Sequence, residues 1–167
     1  MILTAYTIFH VIISLVGIFT GFVVVYGLLT SQRLPGWTAV FLATTAATSL
    51  TGFFFPFHGV TPAIIVGIIS IVILAIAWYA SYPKNMQGGW RLAYVITAVL
   101  AFYLNFFVLV VQSFLKIPAL KAIAPTQDDP PFKLTQLVVL LAFIAVGILS
   151  AVKFRIEPRT TAAASTH

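Results

Sequence analysis

The sequence predicts an all-α fold, a polytopic bundle of five transmembrane helices with the N-terminus outside and the C-terminus inside. Three observations predict it: 61% of the 167 residues are hydrophobic, only 7% are charged, and the mean hydropathy is +1.10. Soluble domains carry about 25% charged residues, so this chain has too few polar groups to cover a surface in water. Intrinsic disorder is excluded as well, because it requires low hydrophobicity and high charge.

Five apolar segments are long enough, or nearly so, to cross a bilayer core of about 30 Å, which takes roughly 20 helical residues. They cover residues 5–29, 38–55, 63–82, 90–115 and 134–152. We expect one transmembrane domain over residues 1–159 and a small, polar, disordered tail over 160–167. The first segment has no basic region before it and is longer than the apolar core of a signal peptide, so we interpret it as a span.

The second segment is the weakest of the five predicted spans. It is short and contains several hydroxyl side chains, among them Thr44, Thr45, Thr48, Ser49 and Thr51. Such side chains are tolerated in a span because they can hydrogen-bond to carbonyl groups of their own helix. The segment is therefore kept as a transmembrane helix.

Stretches rich in proline and glycine separate the predicted spans, at residues 32–36, 56–62 and 83–89. Proline lacks the N–H group that a helix interior needs, so it favours turns between helices. The longer connection, residues 116–133, contains four prolines. Irregular backbone is not tolerated against lipid, so we expect this connection to lie on one surface or to pack against the bundle.

The basic residues predict the orientation of the chain. With a cytoplasmic C-terminus, the inside holds Arg33, Lys84, Arg91, Lys153, Arg155 and Arg159, and the outside holds Lys116, Lys121 and Lys133. This distribution agrees with the positive-inside rule. Because these residues occur singly at the ends of apolar runs, we expect them to contact membrane lipids, and no nucleic-acid partner is predicted.

Small and polar residues form a stripe along the first span. His10, Ser14, Gly17 and Gly21 recur at i, i+4, i+7 and i+11, which places them on one face of a helix. Gly17 and Gly21 also have the spacing that lets two membrane helices approach closely. The stripe therefore predicts helix packing, within the chain or by self-association with a second copy or another membrane protein.

Five side chains are candidates for binding a ligand: His10, His58, Asn105, Gln112 and Gln136. In the predicted topology they collect toward the outer side, with Asn105 deeper than the others. Each also has a structural interpretation. His10 and the three amides can hydrogen-bond between helices, and His58 can be a solvated loop residue.

No catalytic residues are predicted, because the chain has no glycine-rich phosphate loop, no His-Glu-x-x-His helix and no nucleophile elbow. The absence of cysteine excludes thiolate, zinc–thiolate and iron–sulfur chemistry. The leading hypothesis is therefore a non-enzymatic bundle that binds a partner protein or a small lipophilic ligand.

Two alternatives to this hypothesis remain open. In the first, His10 and His58 ligate a haem or a metal ion on the outer side, because neutral imidazoles suit iron and copper. In the second, the chain is a small permease or channel that oligomerises through Gly17 and Gly21.

Four stretches of the chain resemble an uncharacterised group of small, multi-span bacterial membrane proteins. They are Gly52–Phe57, Gly67–Ser70, Val111–Pro118 and Ala124–Phe132. The resemblance implies a multi-pass protein of the bacterial inner membrane and assigns no catalytic residue. In length and span count the chain also looks like the tryptophan-rich sensory proteins, which bind porphyrins. It has three tryptophans and none of that family's tryptophan-rich motifs, so that match is rejected.

Overall fold

The computed structural model describes residues 2–56 and 62–155, and these residues form six α-helices and no strand. The helices are α1 (Ile2–Leu29), α2 (Pro35–Gly52), α3 (Pro62–Ser81), α4 (Gly89–Lys116), α5 (Pro118–Ile123) and α6 (Pro130–Lys153). The predicted all-α class is confirmed. The candidate ligand His58 and the predicted tail 160–167 lie outside the described residues.

Within the described ranges, four helices are long and apolar enough to cross a membrane. They are Leu3–Leu29, Ile64–Ser81, Gly89–Lys116 and Pro130–Lys153. The 18-residue helix α2 is not among them, because its hydroxyl side chains lower its hydropathy. The chain therefore has the helices of a multi-pass membrane protein.

Proline begins helices in this chain. The helices with a proline at their first residue are α2, α3, α5 and α6. The first N–H groups of a helix have no intrahelical partner, so proline loses nothing at this position. For this reason α2 and α6 start about one turn before the predicted spans, and the proline-rich connection contains the short helix α5, which the sequence reasoning missed.

Consecutive long helices pack side by side in antiparallel order, α1 against α2, α2 against α3, α3 against α4 and α4 against α6. Helix α4 also contacts α1, so it lies at the centre of the bundle. Its buried face is mainly alanine, valine and aromatic residues, including Tyr94, Ala101 and Phe102, with Thr97 and the amide of Asn105 among them.

The two ends of the bundle differ in charge. At one end, here called the basic end, the described charged residues are all cations: Arg33, Lys84, Arg91, Lys153 and Arg155. At the opposite end, here called the His10 end, α1 begins and α2 and α4 finish. It holds the cations Lys116, Lys121 and Lys133 together with Asp128 and Asp129. All the described carboxylates therefore lie away from the basic end.

Candidate functional site

The basic end contains a cavity that the sequence reasoning missed. Its volume is about 360 Å³. Its apolar wall is formed by residues of α1, the α3–α4 connection and the end of α6, namely Val24, Leu28, Met86 and Phe154. The polar residues that line it are Gln32, Arg33, Thr38, Ser81, Tyr82, Asn85 and Tyr94. An apolar cavity with a few convergent polar groups is the usual form of a small-molecule site.

Arg33 is exposed at the edge of this cavity, and Asn85 binds its guanidinium. Its Nη1 donates to Asn85 Oδ1 at 2.8 Å, and its Nη2 donates to the Asn85 backbone carbonyl at 2.6 Å. Asn85 and Met86 have φ values of 47° and 57°, in the left-handed region that non-glycine residues rarely adopt. Strained backbone of this kind is concentrated at functional sites, so the turn combines a hydrogen-bonded guanidinium with an unusual conformation.

The positive charge of Arg33 has a neutral partner. Asn85 carries no charge, and the aspartates that the structure describes lie at the His10 end. There Asp128 forms a 3.1 Å ion pair with Lys133, and Asp129 accepts hydrogen bonds from the N–H and the hydroxyl of Thr126. These bonds hold the pKa of Asp129 below its usual range. The cavity therefore presents a positive charge without a described counter-charge.

A buried hydroxyl pair lies at the floor of the cavity. Thr38 Oγ1 and the Tyr94 hydroxyl are 3.0 Å apart, and both residues are buried. One hydroxyl donates to the other, so each has a hydrogen-bond partner in an apolar environment, where an unpaired polar group is costly. This pair fixes α2 against α4 beside Arg33.

A second polar cluster lies near the middle of the bundle, at Gly17. A Cβ added to Gly17 would lie 3.0 Å from Asn105 Nδ2, 3.2 Å from Thr45 Oγ1 and 3.3 Å from Thr44 Oγ1. Asn105 and Thr45 are only 8% and 2% exposed, and neither Asn105 Nδ2 nor Thr45 Oγ1 has a hydrogen-bond partner. Three helices thus bring two unpaired polar atoms together at one glycine.

Thr45 differs from the other hydroxyl residues of α2. Most of them donate to the carbonyl four residues earlier in the helix, as Thr44, Thr48, Ser49 and Thr51 do. Thr38 pairs with Tyr94 instead. The hydroxyl of Thr45 bonds neither to its own helix nor to another side chain, and it lies unpaired against Gly17.

An aromatic layer separates the Gly17 cluster from the basic-end cavity. The rings of Phe41 and Phe102 meet edge to face with centroids 6.4 Å apart, and both are essentially inaccessible. Phe102 also covers Gly21, where an added Cβ would be 2.5 Å from its Cδ2. Gly17 and Gly21 are therefore buried against α2 and α4 of the same chain, and self-association through them stays a prediction.

His10 joins α1 to α2 at the His10 end. Its Nδ1 is 2.8 Å from Thr51 Oγ1, and its ring meets Phe55 edge to face at 5.1 Å. Tyr6 adds a second link, because its hydroxyl donates to the Thr51 carbonyl. Ser14, the next residue of the predicted stripe, is half-buried one turn deeper.

None of the three candidate amides hydrogen-bonds to His10, whose partner is Thr51. Gln136 Nε2 donates to the Phe107 carbonyl at 3.3 Å, while its Oε1 is buried without a partner. Gln112 is exposed, and Asn105 belongs to the Gly17 cluster. Among residues 2–56 and 62–155 no group of three or more metal-ligating side chains occurs, so haem or metal binding by His10 and His58 stays a prediction.

Comparisons with protein-family models, curated protein sequences and solved structures find no match to this chain. The feature with the clearest ligand chemistry is the cavity around Arg33, which combines a hydrogen-bonded cation, an apolar wall and the volume of a small-molecule site.

Proposed function

We propose that this protein is a non-enzymatic, five-span protein of the bacterial inner membrane that binds an anionic amphiphile in the basic-end cavity. The ligand class is an apolar chain that carries a phosphate or carboxylate group. The bacterial location rests on the resemblance of four stretches to small bacterial membrane proteins. The ligand rests on Arg33, whose guanidinium is hydrogen-bonded at the edge of an apolar cavity with no described counter-charge.

The path of α2 supports a fifth span. Its 18 residues extend about 27 Å at 1.5 Å per residue, close to the thickness of a bilayer core. It also follows α1 over most of its length: Trp37 meets Phe19 at 6.2 Å between ring centroids, and Thr51 meets His10 near the other end. Most of its polar side chains are satisfied by their own helix or by Tyr94, so they need no water.

Cysteine labelling tests the fifth span and the orientation together, because the chain contains no cysteine. Gln32 and Pro56 are exposed on either side of α2, and Gln127 is exposed at the His10 end. We expect an impermeant maleimide to label Pro56→Cys and Gln127→Cys in intact cells, and Gln32→Cys only after lysis. The cysteine-free parent is the control. Labelling of Gln32→Cys and Pro56→Cys from one side would contradict the span, and a reversed pattern would contradict the orientation.

The chemistry of the cavity favours an anionic headgroup. A guanidinium binds carboxylate and phosphate through several parallel N–H bonds, and two N–H groups of Arg33 are already used to hold the side chain in place. The ligand therefore meets a preorganised cation, which reduces the entropy lost on binding. The apolar wall at Leu28 and Phe154 then accepts the first part of the ligand's chain.

Replacing Arg33 by glutamine tests this proposal. A hydrogen bond to a charged group contributes about 1.5–3 kcal/mol, so we expect lysophosphatidylglycerol to bind roughly 10- to 100-fold more weakly to Arg33→Gln. Native mass spectrometry from mild detergent measures the affinity. Lysophosphatidylcholine, with a zwitterionic headgroup, should bind weakly to both proteins. Inorganic phosphate should also bind more weakly than lysophosphatidylglycerol, and equal binding of the two would indicate a site for a free anion.

The matched control is Lys153→Gln, which removes the same charge at the same end but away from the cavity. Lys153 is exposed in the last turn of α6. We expect its loss to leave the affinity nearly unchanged. Equal weakening by both variants would mean that the basic end attracts anionic lipids only as a charged surface, and the cavity proposal would be wrong.

A further inference from the structure

The Gly17 cluster leaves two buried polar atoms without partners inside the protein. Asn105 Nδ2 is a donor, and Thr45 Oγ1 can both donate and accept. An unpaired polar group in an apolar interior costs free energy, so buried polar groups that lack protein partners commonly bind ordered water. Both atoms lie within 3.2 Å of the Cβ position over Gly17, closer than most Cβ contacts, so both face the narrow gap that the missing side chain of Gly17 leaves.

A polar seam connects this space with the His10 end. His10 and Ser14 belong to it on α1, and Thr48, Ser49 and Thr51 on α2. His10 Nδ1 is 2.8 Å from Thr51 Oγ1, and helical spacing places Ser14, Thr48 and Ser49 between this contact and Gly17. All five keep part of their surface accessible, whereas Thr45 and Asn105 do not. Toward the basic end the seam is closed by the Phe41–Phe102 layer.

We infer that a water-filled crevice enters the bundle from the His10 end between α1 and α2 and ends at Gly17. Thr45 and Asn105 bind its innermost water molecule. The ligand class is a small uncharged molecule that both donates and accepts hydrogen bonds, and water is its simplest member. The crevice is separate from the basic-end cavity, because the Phe41–Phe102 layer lies between them.

Cysteine accessibility tests the crevice in this cysteine-free chain. Charged methanethiosulfonates react with thiolate, and a thiol surrounded by lipid hardly ionises. We expect Ser14→Cys and Thr48→Cys to react faster than Ile12→Cys, by about tenfold for each unit by which lipid raises the pKa of the thiol. Ile12 is the matched control because it lies on α1, slightly nearer the His10 end, with 55% of its surface exposed toward lipid.

The side of access gives a second readout. Ser14→Cys and Thr48→Cys should react with reagent presented to the face on which Gln127→Cys reacts, and not with reagent presented to the face of Gln32→Cys. Similar rates for Ile12→Cys and the two seam positions would overturn the crevice. Faster reaction from the Gln32 face would overturn its closure by the aromatic layer. If Ser14→Cys does not fold, Thr48→Cys carries the test.

The innermost water is tested with isosteric valine variants. Thr45→Val removes a hydroxyl that the proposal pairs with water, while Thr97→Val removes a buried one that bonds only to its own helix, at the Ala93 and Tyr94 carbonyls. We expect Thr45→Val to lower the thermal unfolding midpoint more than Thr97→Val does. If Thr45 were unpaired, its replacement by valine would leave the midpoint unchanged or raise it, and that outcome would overturn the bound water.

Discussion

Gly21→Ala is expected to lower the free energy of unfolding by about 1–3 kcal/mol, the usual cost of forcing extra atoms into a packed core. The direction is informative, because alanine is the better helix former by about 1 kcal/mol. The added Cβ would lie 2.5 Å from Phe102 Cδ2 and 2.8 Å from its Cγ and Cε2. Contacts this short require either the ring or the whole helix to move.

The ring of Phe102 has little room to move. It is 2% exposed and meets four other rings edge to face, with centroids 4.9–6.4 Å apart. They are Phe22, Phe41, Phe106 and Phe143. A shift of Phe102 would disturb these contacts in α1, α2, α4 and α6 together. We therefore expect α1 to separate from α4, with a loss of stability that thermal unfolding in detergent measures.

Gly36→Ala is the matched control for Gly21→Ala. Gly36 lies in the first turn of α2, and an added Cβ would meet nothing within 4 Å, so the substitution should leave stability unchanged or raise it. The effects of Gly21→Ala and Phe102→Ala should be less than additive in the double variant, because alanine lacks all three ring atoms in conflict with the added Cβ. Equal effects of the two glycine substitutions would show that close packing at Gly21 is not what stabilises the bundle.

The long helices could be predicted because their signal is local. Apolar runs bounded by proline and glycine specify these helices whatever packs against them. The prediction was weakest for α2, because its hydroxyl side chains make it less hydrophobic than the other four long helices. Helix starts were less predictable, since a proline such as Pro130 can follow a turn or begin a helix. The sequence around it permits both.

The sites depend on which helix faces meet, and that information is not local. Asn105 could be singled out because an amide is costly in an apolar helix. Its neighbour Thr45 could not, since it stands in a run of similar hydroxyl residues that mostly bond to their own helix. The cavity was missed because Arg33 and Asn85 belong to different connections, and nothing near either residue indicates that they are hydrogen-bonded.

Arg91→Gln is expected to lower the free energy of unfolding by about 1.5–3 kcal/mol, the contribution of hydrogen bonds to a charged group. Arg91 is half-buried at the start of α4. Its Nη1 donates to the Ala151 carbonyl at 3.1 Å and to the Phe154 carbonyl. The last carbonyls of a helix lack intrahelical partners and form the negative end of its dipole. A guanidinium at this position supplies both hydrogen-bond donors and a positive charge.

The loss of Arg91 should also loosen the wall that Phe154 gives the basic-end cavity. Phe154 is 1% exposed and packs against Tyr94 at 6.3 Å between ring centroids, where both line the cavity. Without Arg91 this end of α6 keeps the packing of Phe154 and the hydrogen bonds of Ser31, whose Oγ donates to the Arg155 carbonyl at 2.6 Å and accepts from its N–H at 2.9 Å. We therefore expect faster hydrogen exchange over residues 150–155 and weaker binding of lysophosphatidylglycerol.

Lys153→Gln separates this local effect from the general charge of the basic end. Lys153 is in the last turn of the same helix and carries the same charge, but its side chain is exposed. Surface substitutions of this kind usually change stability by less than about 0.5 kcal/mol. If Arg91→Gln and Lys153→Gln lowered stability equally, the two carbonyl bonds would contribute nothing, and Arg91 would act only as one more cation near the membrane surface. If Arg91→Gln alone is destabilising, the end of α6 is fixed by α4, and the wall that Phe154 gives the cavity depends on that contact.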